Sequence, residues 1–239
     1  MTFRFRPALT AAALAALAIL CSLGIWQVQR LQWKNALIAK THARLADAPI
    51  PLAEALARAE AGEDLEYQPV FADGAFRGGL EAHVFGTHDG KPGAFVFAPF
   101  DWRGDEGRTA AIYVNRGFAP QDFTDPATRG GPISGDIRVE GLFRLAEAKR
   151  GLEKALSPDD QPADNLYFTR DPARLAAAHG LSVPPFYIDS FERESEGAWP
   201  KGGLTRVEFA NRHLEYALTW FGLAAALIGV YLALSLRRD

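Results

Sequence analysis

The chain has 239 residues, a formal charge of −3 and 23% charged residues, and this near-neutral balance without a long basic run excludes a nucleic-acid backbone as its partner. The single cysteine, Cys21, excludes a disulfide framework or a cysteine metal cluster within one chain. What remains between two apolar termini is long enough for one domain with its own core.

The first element is an uncharged apolar run from Ala8 to Ile25, and a second, from Ala217 to Leu236, closes the chain. A bilayer core about 30 Å thick takes about 20 helical residues at roughly 1.5 Å each, so both runs are long enough to cross. Two spans make a hairpin. Residues 8–25 and 217–236 cross, the first helix continues to about residue 45, and residues 46–210 form a soluble insert on one side with both tails on the other. Arg4, Arg6, Arg237 and Arg238 place the tails in the cytoplasm, against Arg30, Lys34, Lys40 and Arg44 after the first span, because long domains translocate largely regardless of charge. A cleaved signal peptide is the competing reading of the first run, opposed by its length and by the absence of a convincing cleavage site in Gly24-Ile25-Trp26-Gln27. No arginine-rich and serine-rich transit segment precedes that run, which points to a bacterial plasma (inner) membrane with a periplasmic insert.

Past the first span, Trp26, Arg30, Trp33, Lys34 and Leu37 recur at helical spacing. Tryptophans suit the interfacial belt and long cationic side chains snorkel to headgroups, so anchoring is the first reading of Trp26, Arg30, Trp33 and Lys34. Pro49 to Pro51 opens a short alanine-rich helix that ends near Gly62. Strands are expected at Gln68 to Phe76, Glu81 to Gly86, Ala94 to Trp102, Ala110 to Phe118 and Ile137 to Leu145, with near-continuous apolar character at 96–100 and 112–114 that signals burial on both faces. Ala146 to Asn165 reads as a mobile excursion, followed by a helix from about Asp171 or Pro172 to Ala178 and a strand from Phe186 to Phe191. The links are too short for repeated helical crossovers, so the pairing is expected to be mostly antiparallel. The fold class is therefore α+β: a two-helix transmembrane hairpin with a β-rich, mostly antiparallel extracytoplasmic domain carrying short helices.

Catalytic signatures are missing. No G-x-G-x-x-G, phosphate-cradling loop or H-E-x-x-H occurs, and Ser134 in G-P-I-S-G lacks the spacing of a nucleophile elbow. His83 and His88 stand five apart without a carboxylate or thiol at ligand spacing, and the acidic clusters Glu63, Asp64, Glu66 and Asp159, Asp160 read as solvated loop charge. The chain is not expected to be an enzyme. His213 differs by position: it lies just before an apolar helix, with Tyr216 and Trp220 on its face. Such a histidine can be an interfacial hydrogen-bonder, an ionisable relay or an axial haem ligand.

Four blocks in order, Gly24 to Lys34 (G-I-W-Q-V-Q-R-L-Q-W-K), Val114 to Pro120 (V-N-R-G-F-A-P), Asn165 to Phe168 (N-L-Y-F) and Asn211 to Phe221 (N-R-H-L-E-Y-A-L-T-W-F), resemble the Surfeit locus protein 1 family across nearly the whole chain. The resemblance implies a membrane-anchored, non-catalytic assembly factor for cytochrome c oxidase. Bacterial members are associated with binding haem a and inserting it into the large catalytic subunit, subunit I, downstream of haem A synthase. Carried across residue by residue, His213 would ligate the haem iron. Trp26, Gln27 and Arg30 close the first span facing it, Trp26, Tyr216 and Trp220 would meet the macrocycle, and Arg30 or Arg116 would neutralise propionates. Arg116 has an internal carboxylate as its alternative partner. Phe118 stands where many relatives carry tryptophan. The rival reading is a haem-free membrane scaffold that binds oxidase subunits or haem A synthase through protein contacts only.

Overall fold

The computed structural model of the protein describes residues 2–3, 6–104, 109–129, 133, 135–149, 151–191, 199–204 and 211–237. Arg4, Ser134 and Arg238, and residues 192–198 of the loop before the second apolar run, lie outside the described residues. The chain divides into two compact units, Met1–His42 with Val207–Asp239, and Ala43–Arg206.

The first unit is a helix pair. A two-residue strand, β1 (Thr2–Phe3), precedes α1 (Pro7–Leu45), whose alanine- and leucine-rich first half consists of strong helix formers. Its partner α5 (His213–Ser235) is followed by β10 (Leu236–Arg237), which pairs antiparallel with β1. Only 6% and 11% of the most apolar stretches of the two helices are buried. Their leucines, isoleucines and valines thus face outward along lengths that suffice to cross a bilayer, unlike the core helices of a soluble domain. Polar pins join the helices near either end: Thr10 Oγ1 lies 2.7 Å from the Tyr231 hydroxyl, and Asn211 Nδ2 donates to Asn35 Oδ1 at 2.8 Å. Between them, Gly24 has no side chain where the Phe221 ring packs; a Cβ there would come within 2.7 Å of that ring. Close approach through a small residue is how apolar helices associate when lipid offers no hydrophobic drive.

The second unit is built on a sheet. Its elements are β2 (Ile50–Pro51), α2 (Leu52–Glu60), β3 (Pro69–Phe76), β4 (Ala82–His88), β5 (Lys91–Arg103), β6 (Thr109–Pro120), β7 (Ile137–Leu145), α3 (Gly151–Leu156), β8 (Leu166–Tyr167), α4 (Pro172–Ala177) and β9 (Phe186–Ser190). β4 turns into β5 over Asp89 and Gly90, both at positive φ (49° and 75°), the two-residue turn whose twist matches that of the strands. β5 then serves two neighbours in succession: its first half pairs with β4, and Phe100 to Trp102 pair with the end of β3. That second pairing closes β3, β7, β9, β6 and β5 into a ring, with β4 and β8 extending it at β5 and β2 lying beside β3. Closure leaves little open sheet edge.

All five ring strands send residues into one cluster, including Val70, Phe100, Ile112, Val114, Val139, Phe143 and Ile188, and α2 covers it with Leu52 and Ala55. The alternate residues Phe97, Tyr113 and Tyr187 point the other way and pack with Tyr167 and with Leu175 and Ala176 of α4. Burial on both faces explains why β5, β6 and β9 read as nearly continuous apolar runs.

Two apolar terminal helices flanking, in sequence, a mostly antiparallel β domain with short helices is the architecture expected from the chain. It differs in detail. β9 runs parallel to β6, as β2 does to β3 and β8 to β4. The β6-to-β9 link is long enough to cross over because β7, α3 and α4 lie within it. The stretch from Ala146 to Asn165 contains α3 and a 3-10 turn at Pro162–Asp164, ended by Asn165 in the left-handed region at φ 52°.

Candidate functional site

His213 is the first residue of α5, and its ring is held from α1. Its Nδ1 lies 2.7 Å from Gln27 Oε1, across 186 positions of sequence. The Trp26 indole meets the imidazole edge-on, with centroids 6.5 Å apart and planes at 87°. Consecutive helix positions point about 100° apart, so Gln27 is buried toward the partner helix while Trp26 stays 50% exposed beside it. The helix begins without a side-chain cap from Arg212; instead Asn211 Oδ1 accepts from the His213 backbone N–H at 3.4 Å. Asn211 thus pins both this turn and Asn35.

The other residues singled out from the sequence distribute as follows. Arg30 is exposed one turn beyond Trp26, its guanidinium stacked over Trp33 at 4.4 Å. Tyr216 is 52% exposed on the first turn of α5, and Trp220 is half-buried one turn on. His213, Gln27 and Trp26 therefore form one contact group, with exposed aromatic surface and a cation along the same helices.

Arg116 belongs to the β unit. Val96 pairs with Gly117 and Phe97 with Asn115, which makes Arg116 the extra residue of a β-bulge. Gly117 takes φ 120°, and Phe118 beyond it exchanges both backbone hydrogen bonds with Lys201. The bulge brings Arg116 Nη1 to Glu81 Oε1 at 3.0 Å. The same carboxylate accepts from Arg129 Nη2 at 2.5 Å, while the buried His83 Nε2 stands 3.5 Å from Glu81 Oε2. Burial pushes the Glu81 carboxyl up, but His83, Arg129 and Arg116 outweigh it and hold it below the ordinary carboxylate value. Asn165, from the N-L-Y-F block, donates to the Glu81 backbone carbonyl at 2.9 Å, so two of the four blocks meet at Glu81.

These contacts revise the reading of the charges. A carboxylate does stand near each strand histidine, Glu81 beside His83 and Asp89 beside His88 at 3.4 Å. No group of three or more potential metal ligands forms among the described residues. The acidic clusters are paired as well: Glu66 accepts from Arg144 Nε at 2.7 Å, Asp160 from Arg174 Nη1 at 2.6 Å, and Glu63 from Arg58. Arg144 also reaches to 3.6 Å from the buried Asp189, and burial pushes the neighbouring Tyr187 hydroxyl up to about 12. Glu81 escaped sequence reasoning although it stands two positions before His83, where strand alternation puts both side chains on one face.

The sequence model of the SURF1 family matches residues 14–225. Surfeit locus protein 1 of Xenopus tropicalis is 35% identical over 222 residues, 86% of this chain and 68% of that protein. Surfeit locus protein 1 of Homo sapiens is 34% identical over 221 residues, 85% of this chain and 70% of that protein. A SURF1-like protein of Drosophila melanogaster is 30% identical over 223 residues, 85% of this chain and 70% of that protein.

Relatives of this strength include proteins of vertebrates, an insect and a choanoflagellate. They correct the expected bacterial plasma membrane with a periplasmic insert: this kinship implies a mitochondrial rather than a bacterial membrane. The expectation rested on the few residues that precede the first apolar run, and the kinship over most of the chain overrides it. With a family model spanning most of the sequence and relatives this similar over most of both lengths, the chain belongs to the SURF1 family of cytochrome c oxidase assembly factors.

Proposed function

We propose that this assembly factor binds haem a at the mouth of its helix pair and assists its delivery to subunit I, the large catalytic subunit of the oxidase. The observation that carries the reading is the placement of His213: a partly buried imidazole at the start of α5, flanked by the half-exposed indole of Trp26. The side chains present suit the group. The His213 imidazole would ligate the iron. Trp26, Tyr216 and Trp220 offer flat apolar surface to a macrocycle, and Arg30, exposed on the same helix as Trp26, offers a cation to a propionate. The haem would bring the redox chemistry of the oxidase, and the chain would bind it, orient it and shield its apolar face from water. Arg116 is left out of this role, since its guanidinium already serves Glu81.

Haem A synthase, upstream, and subunit I, downstream, are the partners that this reading requires. The test is the absorption spectrum of the full chain purified in detergent from cells that make haem a. A Soret band that is lost or shifted in His213→Ala supports ligation by that imidazole. Parent protein that co-purifies with oxidase subunits but carries no haem would replace this reading with a scaffold that works through protein contacts alone. An unchanged haem spectrum in His213→Ala would exclude His213 as ligand.

A further inference from the structure

We infer that Gln27 is the positioning residue of His213: it fixes the imidazole as the tautomer that carries its proton on Nδ1, so that Nε2 keeps the lone pair. The inference rests on the haem-ligand reading above, and assigns Gln27 a role behind the imidazole in place of contact with the cofactor.

A carbonyl oxygen only accepts hydrogen bonds, so an imidazole nitrogen 2.7 Å from Gln27 Oε1 has to be the protonated one. A neutral ring has one N–H, and placing it at Nδ1 makes Nε2 the ligating atom. The bond is also well protected. Gln27 is only 9% exposed, and one face of its turn is closed by Gly24 against Phe221, so the amide is confined to the seam between the helices. Trp26 meets the imidazole edge-on, which resists rotation of the ring about its own axis. Two adjacent α1 residues therefore hold one α5 side chain from two directions. Partners that orient a ligating histidine typically matter 10- to 100-fold in affinity for the metal.

The test uses the full chain in detergent and has two arms. In the first, nitrogen-15 NMR of the haem-free protein reads the tautomer of His213 directly. Protonation at Nδ1 in the parent, with a mixed population in Gln27→Leu, is the expected result, and protonation at Nε2 in the parent overturns the inference. In the second arm, haem a is titrated into parent, Gln27→Leu, Gln27→Glu and His213→Ala. Gln27→Leu should bind about 10-fold more weakly with an altered Soret band, while Gln27→Glu, which keeps an acceptor, should bind as the parent does. If His213→Ala loses the haem but Gln27→Leu keeps the parent affinity and spectrum, the positioning role fails and the ligand reading stands. If His213→Ala keeps the haem unchanged, the ligand reading fails and takes this role with it.

Discussion

Asn115 and Asp189, buried on neighbouring strands that run parallel, are joined by a hydrogen bond from Asn115 Nδ2 to Asp189 Oδ1 at 2.9 Å. The other end of the same amide, Oδ1, accepts from the backbone N–H of Gly117 at 3.0 Å. One side chain thus ties the bulge of β6 to β9. Asn115→Leu is comparable in volume but removes a donor from a buried carboxylate and leaves a buried N–H without its acceptor. The expected cost is about 3 kcal/mol, read as faster amide exchange across β6 and β9 in the full chain.

Gly117 bears the tightest backbone approach in the bulge. A Cβ there would fall 2.0 Å from the Lys201 carbonyl oxygen, on a residue already at φ 120°. Gly117→Ala has to break the Phe118–Lys201 pairing, at about 3 kcal/mol or more. Gly62→Ala is the control, because Gly62 also has a positive φ of 89° but open space around it. Its cost should stay near 1 kcal/mol. Thermal melts of the two variants in detergent should separate clearly.

The Glu81 cluster sets a pH dependence whose sign follows from its charges. In the folded chain His83, Arg129 and Arg116 hold the Glu81 carboxyl below its ordinary value of 4.5, despite the burial that raises it. The stabilisation is therefore present in full above that ordinary value and is lost as pH falls through the lower folded one. Glu81→Gln should destabilise the chain at neutral pH, by about 3 kcal/mol since it removes the anion that two largely buried guanidiniums share. It should also flatten the loss of stability below pH about 4.5. Urea unfolding of parent and variant across pH 3 to 7 checks both; an equal acid slope in the two proteins would remove Glu81 as the source.

In the helix pair, Gly24→Leu should push the Phe221 ring out of its seat, at about 1–3 kcal/mol for an overpacked contact. Phe221→Ala in the same chain should recover most of the lost melting temperature, because the volume added on α1 is removed from α5. Non-recovery would mean that the two side chains do not share this space.

Much of the architecture was legible because it depends on local pattern. Ile137–Leu145 reads as a strand with the same bounds in sequence and structure, and the alanine-rich stretch after Pro51 reads as α2. Less was legible where partners decide. Ala146 to Asn165 carries no strong periodicity, yet α3 forms inside it, and Asp160 in the same stretch is held by Arg174 and by the Phe168 backbone N–H. Glu66 looked like a solvated charge until Arg144, 78 positions away, proved to be its partner.

By itself the sequence determined two long apolar helices at the ends and buried strands between them, because length, hydropathy and the period of apolar residues act within a few neighbours. Tertiary structure alone decided the closure of the ring through β3 and β5, the bulge that aims Arg116 at Glu81, and the pairing of the Gln27 amide with the His213 imidazole. Each is a directional hydrogen bond or strand pairing between distant positions. Its geometry exists only once packing has set the distance, so no local pattern in the chain encodes it.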